Sequence, residues 1–220
     1  VNLYKKLYQG IGNTPVTSCE LPNNNIIHVK LEYENSLGNS HYSRYWLPYL
    51  FLAEELGIIK PNESKLLEVT SGSSGIALSE AAKYLGYDVT LIVPASLPNG
   101  RLSPMEAAGA KLVRVNGYID ACIEQLSVLL KKDEFYYPPN HSDEKFNLII
   151  HIFSRIATEY ISEYGRCDYI ILGLGNGTST EAIAQEFKNL DPSSLIYSYY
   201  PSFDKHQIIF GLLAPNIHLK

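Results

Sequence analysis

The chain has 220 residues, of which 45% are hydrophobic and 19% charged, with a formal net charge of −5. That balance describes a globular chain long enough for one large domain or two small ones, and it argues against a nucleic-acid partner, whose binders carry basic patches. No apolar run approaches the roughly 20 residues needed to cross a bilayer, and no apolar h-region follows the lysines of 1-VNLYKKLYQG-10, so no signal peptide is read there and a cytoplasmic protein is expected.

In chain order, strands are read at 26-IIHVKLE-32, 66-LLEVT-70, 88-DVTLIVP-94, 111-KLVRV-115, 135-FYYP-138, 169-YIILGLG-175 and 195-LIYSYY-200. Helical patterns lie between them at about 43–56, 75–85, 102–108, 119–131, 145–164 and 178–189. Several strands are unbroken Val/Ile/Leu runs, the pattern of strands buried on both faces of a parallel sheet. Alternating β and α elements predict an open α/β fold with right-handed crossovers, helices on both sheet faces and ligands at the strands' carboxyl ends. The stretch 136-YYPPNHSDEK-145 has the Pro, Asn and Ser content of a linker.

Two loops invite an anion. Thr70, Ser71, Gly72, Ser73, Ser74 and Gly75 run from a strand straight into a helix, where free N–H groups and the helix dipole favour negative charge. The second, 173-GLGNGTST-180, repeats that logic with more glycine and suits a phosphate. The bland alternative for each is a tight β-to-α turn that needs Gly for its backbone and Ser or Thr as N-cap. The second loop also matches part of a dinucleotide fingerprint, but strand 195–200 ends in Tyr-Tyr-Pro instead of the acidic residue that grips a ribose.

Other residues read as structural. Cys19, Cys122 and Cys167 are odd in number and widely spaced, so neither a disulfide framework nor a zinc site is suggested, and Cys122 lies on an apolar helix face. His28 and His151 lack a second ligand at i+3 or i+4, and no metal site is expected. Trp46, Tyr49 and Phe51 form the packing face of the first predicted helix, and Pro48 marks its first turn or a kink.

Taken together, 11-IGNTPV-16, 29-VKLEYEN-35, 70-TSGSSGIALSEAAKYLGY-87, 91-LIVPAS-96, 107-AAGAKLV-113 and 173-GLGNGTST-180 resemble, in order, the motifs of the cysteine synthase group of fold-type II pyridoxal-phosphate enzymes, which includes cystathionine β-synthase. The resemblance implies two sub-domains, a larger one from 1–32 plus 143–220 with the phosphate loop and a smaller one from 33–142 with the carboxylate loop. It implies cofactor contacts from Gly175, Asn176, Gly177, Thr178, Ser179 and Ser73, substrate contacts from Thr70, Ser71, Gly72 and Ser74, and a homodimer. Ser73 stands where the family's asparagine bonds the cofactor's ring hydroxyl. The family chain also continues past a stretch like 206-HQIIFGLL-213, so the C-terminal part of the family fold is expected to be missing here.

One departure bears on chemistry. The family's Schiff-base lysine sits in a segment like NPGGSVKDR, which here reads 35-NSLGNSHYSR-44. Arg44 matches the arginine, Ser43 replaces the aspartate, and the lysine position falls on Tyr42 or, with another gap, on His41. No lysine lies between Lys30 and Lys60, and a Schiff base needs a primary amine. Three functions follow. The first is a cysteine synthase-like protein that binds a small amino-acid-like or phosphate-bearing ligand, or a protein, with pyridoxal phosphate held non-covalently if at all. The second is an active pyridoxal-phosphate-dependent β-replacement enzyme or lyase acting on serine or O-acetylserine. The third is a nucleotide-binding module.

Overall fold

The computed structural model describes residues 2–133, 136–139, 148–175, 177–201 and 208–212. The chain forms two compact units, Val1–Asp143 and Glu144–Lys220, and the boundary falls within the stretch read as a linker. Residues 1–32 belong to the first unit, together with those that follow them. The division into 1–32 plus 143–220 against 33–142 stays a proposal carried by the resemblance.

The first unit opens with helix α1 (Asn2–Tyr8) and an antiparallel hairpin of β1 (Val16–Glu20) and β2 (Ile26–Lys30). Neither α1 nor β1 is foreseen from the sequence: α1 is only two turns long, and β1 has mostly polar, exposed residues with no apolar alternation to announce it. Helix α2 (Ser43–Glu55) then leads into β3 (Lys65–Val69), α3 (Ser73–Leu85), β4 (Asp88–Pro94), α4 (Asn99–Ala107), β5 (Lys111–Val115), α5 (Ile119–Leu130) and the short β6 (Tyr136–Tyr137). The strands form one parallel sheet in the order β5-β4-β3-β6. Strand succession runs outward from β3 to β5 and then returns to β6 on the other side of β3. The chain therefore reverses its direction of travel beside β3, and the 70–75 loop leaves the sheet at this switch point, where open α/β folds place ligands.

Burial explains the register. Leu67, Val69, Ile92 and Cys122 form one core cluster, with Val113, Val115, Leu126, Leu129, Leu130 and Tyr136 packed on it, so α5 covers one face of the sheet. Cys122 is a core residue there, as its apolar helix face predicts. Helix α2 packs on α3, and α3 packs on β4 and α4. Pro48 sits inside α2 as its sixth residue, past the first turn, and removes the N–H that would otherwise reach the Arg44 carbonyl. Helix α3 ends at Gly86, whose φ of 82° is the left-handed cap that glycine adopts most readily.

The second unit pairs α6 (Leu148–Tyr164) with α7 (Thr178–Leu190) beside a sheet in the order β7 (Tyr169–Gly173), β8 (Leu195–Pro201), β9 (Ile208–Leu212). Strands β7 and β8 are parallel, while β9, not foreseen as a strand, returns antiparallel to β8. Ile152, Phe153, Ile156, Ile170, Ile183, Phe187 and Ile196 are buried. Among the described residues no helix is long and apolar enough to cross a membrane.

Candidate functional site

The loop to which the resemblance assigns the family's lysine is held from several sides. Leu37, Gly38 and Asn39 all have positive φ, at 61°, 104° and 48°. Gly38 lies directly on α3: a Cβ there would stand 2.4 Å from the Ala77 Cα, so only glycine fits. Ser43 donates its hydroxyl to the Leu37 carbonyl at 2.7 Å and fixes the start of α2. The buried Arg44 guanidinium bridges both Glu32 oxygens, at 2.7 and 2.8 Å, the fork geometry that arginine favours with carboxylates. Thr14 donates to Glu32 at 2.7 Å, Asn35 donates to Glu32 at 3.0 Å, and the Asn35 side-chain carbonyl receives the Gly12 N–H at 2.8 Å. The motifs 11–16 and 29–35 therefore meet Arg44 in one polar network, which no spacing in the sequence announces.

That network delivers Tyr42 and His41 to the start of α2. Tyr42 is the N-cap residue, and its carbonyl receives the Tyr45 and Trp46 N–H groups at 3.0 Å. Its ring lies 4.3 Å from that of His41, tilted by 35°. Burial pushes the Tyr42 phenol above its ordinary range. Burial also lowers His41 to about 4; Glu32 opposes this shift and Arg44 adds to it. At neutral pH both side chains are uncharged.

The 70–75 loop is less open than its composition suggests. Thr70 is buried, and its hydroxyl oxygen accepts the N–H groups of Gly72 at 3.2 Å and Gly75 at 3.0 Å. Thr70 thus shapes the loop from inside. Ser74 is also buried, and its hydroxyl oxygen takes the Trp46 indole N–H at 3.1 Å. Ser71 and Ser73 are exposed. Gly72, with φ of 157° and ψ of −105°, leaves room for Arg101, whose Nη1 donates to the Ser71 carbonyl at 2.9 Å. Arg101 is a contributor the sequence reading missed, since nothing in its local pattern links it to a loop thirty residues upstream. The helix itself provides no carbonyl for the N–H groups of Ser73 and Ser74, the usual deficit of a first turn.

In the other unit, Gly177 takes φ of 95° and caps α7, and its carbonyl receives the first intrahelical N–H, from Glu181, at 2.8 Å. Thr180 donates its hydroxyl to the Gly173 carbonyl at 2.8 Å and closes the loop on itself. A Cβ on Gly175 would meet nothing within 4 Å, so that side of the loop is open. Thr178 and Ser179 begin the helix, and Asn176 lies outside the described residues. This is the build of an anion cradle: a glycine turn, hydroxyls and the first N–H groups of a helix.

Residues 7–201 match the model of a family described as pyridoxal-phosphate dependent enzyme. The chain belongs to the pyridoxal-phosphate-dependent enzyme family. Among curated relatives, a cysteine synthase from Flavobacterium sp. is 30% identical over 204 residues, covering 90% of this chain and 65% of the relative. A cystathionine beta-synthase from Apis mellifera is 27% identical over 212 residues, covering 87% of this chain and 40% of the relative. A solved hydrogen sulfide-producing enzyme from Fusobacterium nucleatum is 28% identical with a TM-score of 0.78, covering 87% of this chain and 65% of that one. The chain thus spans less than two-thirds of the length of these relatives. It is a cysteine synthase-like member of fold type II within the pyridoxal-phosphate family. The donor set at the start of α7 fits the family's cofactor phosphate.

Proposed function

We propose that this protein is a cysteine synthase-like ligand binder that does not form the family's Schiff base. It takes a small amino-acid-like or phosphate-bearing molecule and, where pyridoxal phosphate binds, holds it without a covalent bond. One observation carries the reading: Tyr42 stands at the head of α2, and 31–59 contain no lysine. The anchoring of that segment strengthens it. Gly38 on Ala77, Ser43 on Leu37 and Arg44 on Glu32 leave little room for a slipped register that would bring another side chain to the same place.

The cofactor, when bound, supplies an electron sink for a substrate amino acid. In this chain Thr178, Ser179 and the first turn of α7 would receive its phosphate. Ser73 and Ser74 would hold a ligand carboxylate through backbone N–H and hydroxyl donors. Tyr42 and neutral His41 would offer hydrogen bonds but no amine nucleophile. Thermal denaturation tests the binding half of the reading: pyridoxal phosphate should raise the melting temperature in proportion to the logarithm of its concentration, while O-acetylserine with sulfide yields no cysteine. A second reading, an active β-replacement enzyme or lyase with its amine supplied from outside 31–59, is favoured by the family match over 7–201. Cysteine release by the wild type would select it. The homodimer implied by the resemblance and the cytoplasmic setting expected from the sequence belong to the proposal, and sedimentation equilibrium tests the first.

A further inference from the structure

Trp46 is fully buried on α2, one turn beyond Tyr42. Tyr45 and Tyr49 hold its ring edge-on, at centroid distances of 4.9 and 5.8 Å. An indole N–H can only donate, and once buried it needs an acceptor. It finds the Ser74 hydroxyl, itself only 5% exposed, in the first turn of α3. That contact fixes how Ser74 is used. A serine oxygen can accept twice and donate once, and the indole fills one accepting position. The hydroxyl proton meets no acceptor among the described residues. Ser79, on the same helix, spends its proton on the carbonyl four residues back, that of Gly75, at 2.7 Å. Ser74 lies too near the helix start to have such a carbonyl within the helix.

We infer that Trp46 is a positioning residue, one that sets Ser74 as a donor and so makes the 70–75 loop discriminate in favour of a carboxylate over its amide. The inference rests on the ligand-binding reading above. Ser74 then presents an O–H polarised by the indole and a first-turn N–H, both donors. Thr70 offers no compensating acceptor, because its oxygen already serves Gly72 and Gly75. A ligand end made only of acceptors satisfies this arrangement. A primary amide, with N–H groups of its own, leaves part of it unmet.

The test uses the full chain, isothermal calorimetry, and L-serine and L-serinamide as probes. Wild type should bind serine more tightly than serinamide. Trp46→Phe keeps most of the bulk and removes the N–H; it should cost serine about five- to tenfold in affinity, the effect of one misplaced hydrogen bond, and leave serinamide unchanged. Ser74→Ala should show the same loss, and the double variant no further loss, as expected of residues acting as a unit. An unchanged serine-to-serinamide ratio in Trp46→Phe overturns the inference and leaves the ligand-binding reading standing. Wild type that binds neither probe overturns both. If Trp46→Phe does not fold, Ser74→Ala against Ser74→Thr decides: the ratio should fall in the first and survive in the second, and its survival in both overturns the inference.

Discussion

A lysine amine at the head of α2 would be a base and a nucleophile; Tyr42 is neither at neutral pH, because burial holds its proton more firmly than water would. His41 beside it adds a titration of its own. Its folded value, about 4, lies below the ordinary imidazole value of 6.5. Between those values the unfolded chain binds a proton that the folded chain refuses, so stability contributed by neutral His41 is intact above pH 6.5 and drains away as pH falls toward 4. Denaturation in urea at pH 7 and pH 5 should therefore show wild type losing about 2 kcal/mol more than His41→Gln over that interval. Equal losses would mean that the imidazole protonates freely in the fold. Gly38 gives a second check at this scale. Gly38→Ala combines a φ of 104° with a clash against the Ala77 backbone, and should destabilise by about 1–3 kcal/mol in the same assay.

Among the elements, helices with clear apolar spacing and strands with unbroken aliphatic runs were legible in the sequence, and the structure places them within a few residues of expectation. Helix α3 begins at Ser73 rather than 75, and α4 at Asn99 rather than 102, because first turns are defined by caps and backbone geometry that apolar periodicity does not report. The site was legible only in part. Composition pointed to both glycine-rich loops, and the resemblance pointed to Tyr42 or His41, but the inward turn of Thr70 and the reach of Trp46 and Arg101 depend on packing between elements distant in sequence. The anchor of β6 is of this kind too. Tyr49, buried on α2, donates to the Pro139 carbonyl at 2.7 Å and lies 2.8 Å from the Tyr137 hydroxyl. Tyr49→Phe should leave that carbonyl without its donor and cost about 1–3 kcal/mol. A melting temperature equal to that of wild type would show that the hydroxyl pair adds nothing to stability.

At the scale of the whole molecule, the family's two anion loops are both present as turns feeding helix N-termini, one in each compact unit. The departure that bears on covalent chemistry lies between Lys30 and Lys60, where the sequence holds no lysine, so the central claim reduces to whether any lysine of this protein forms a covalent bond with pyridoxal phosphate. The direct measurement is incubation of the purified wild type and of Tyr42→Lys with pyridoxal phosphate at a concentration that saturates the thermal shift, borohydride reduction, and peptide mass mapping against a denatured control. The account predicts no site-specific lysine adduct in wild type, and an adduct with its visible absorption band at position 42 in the variant. A stoichiometric adduct on one native lysine of the folded wild type would contradict it.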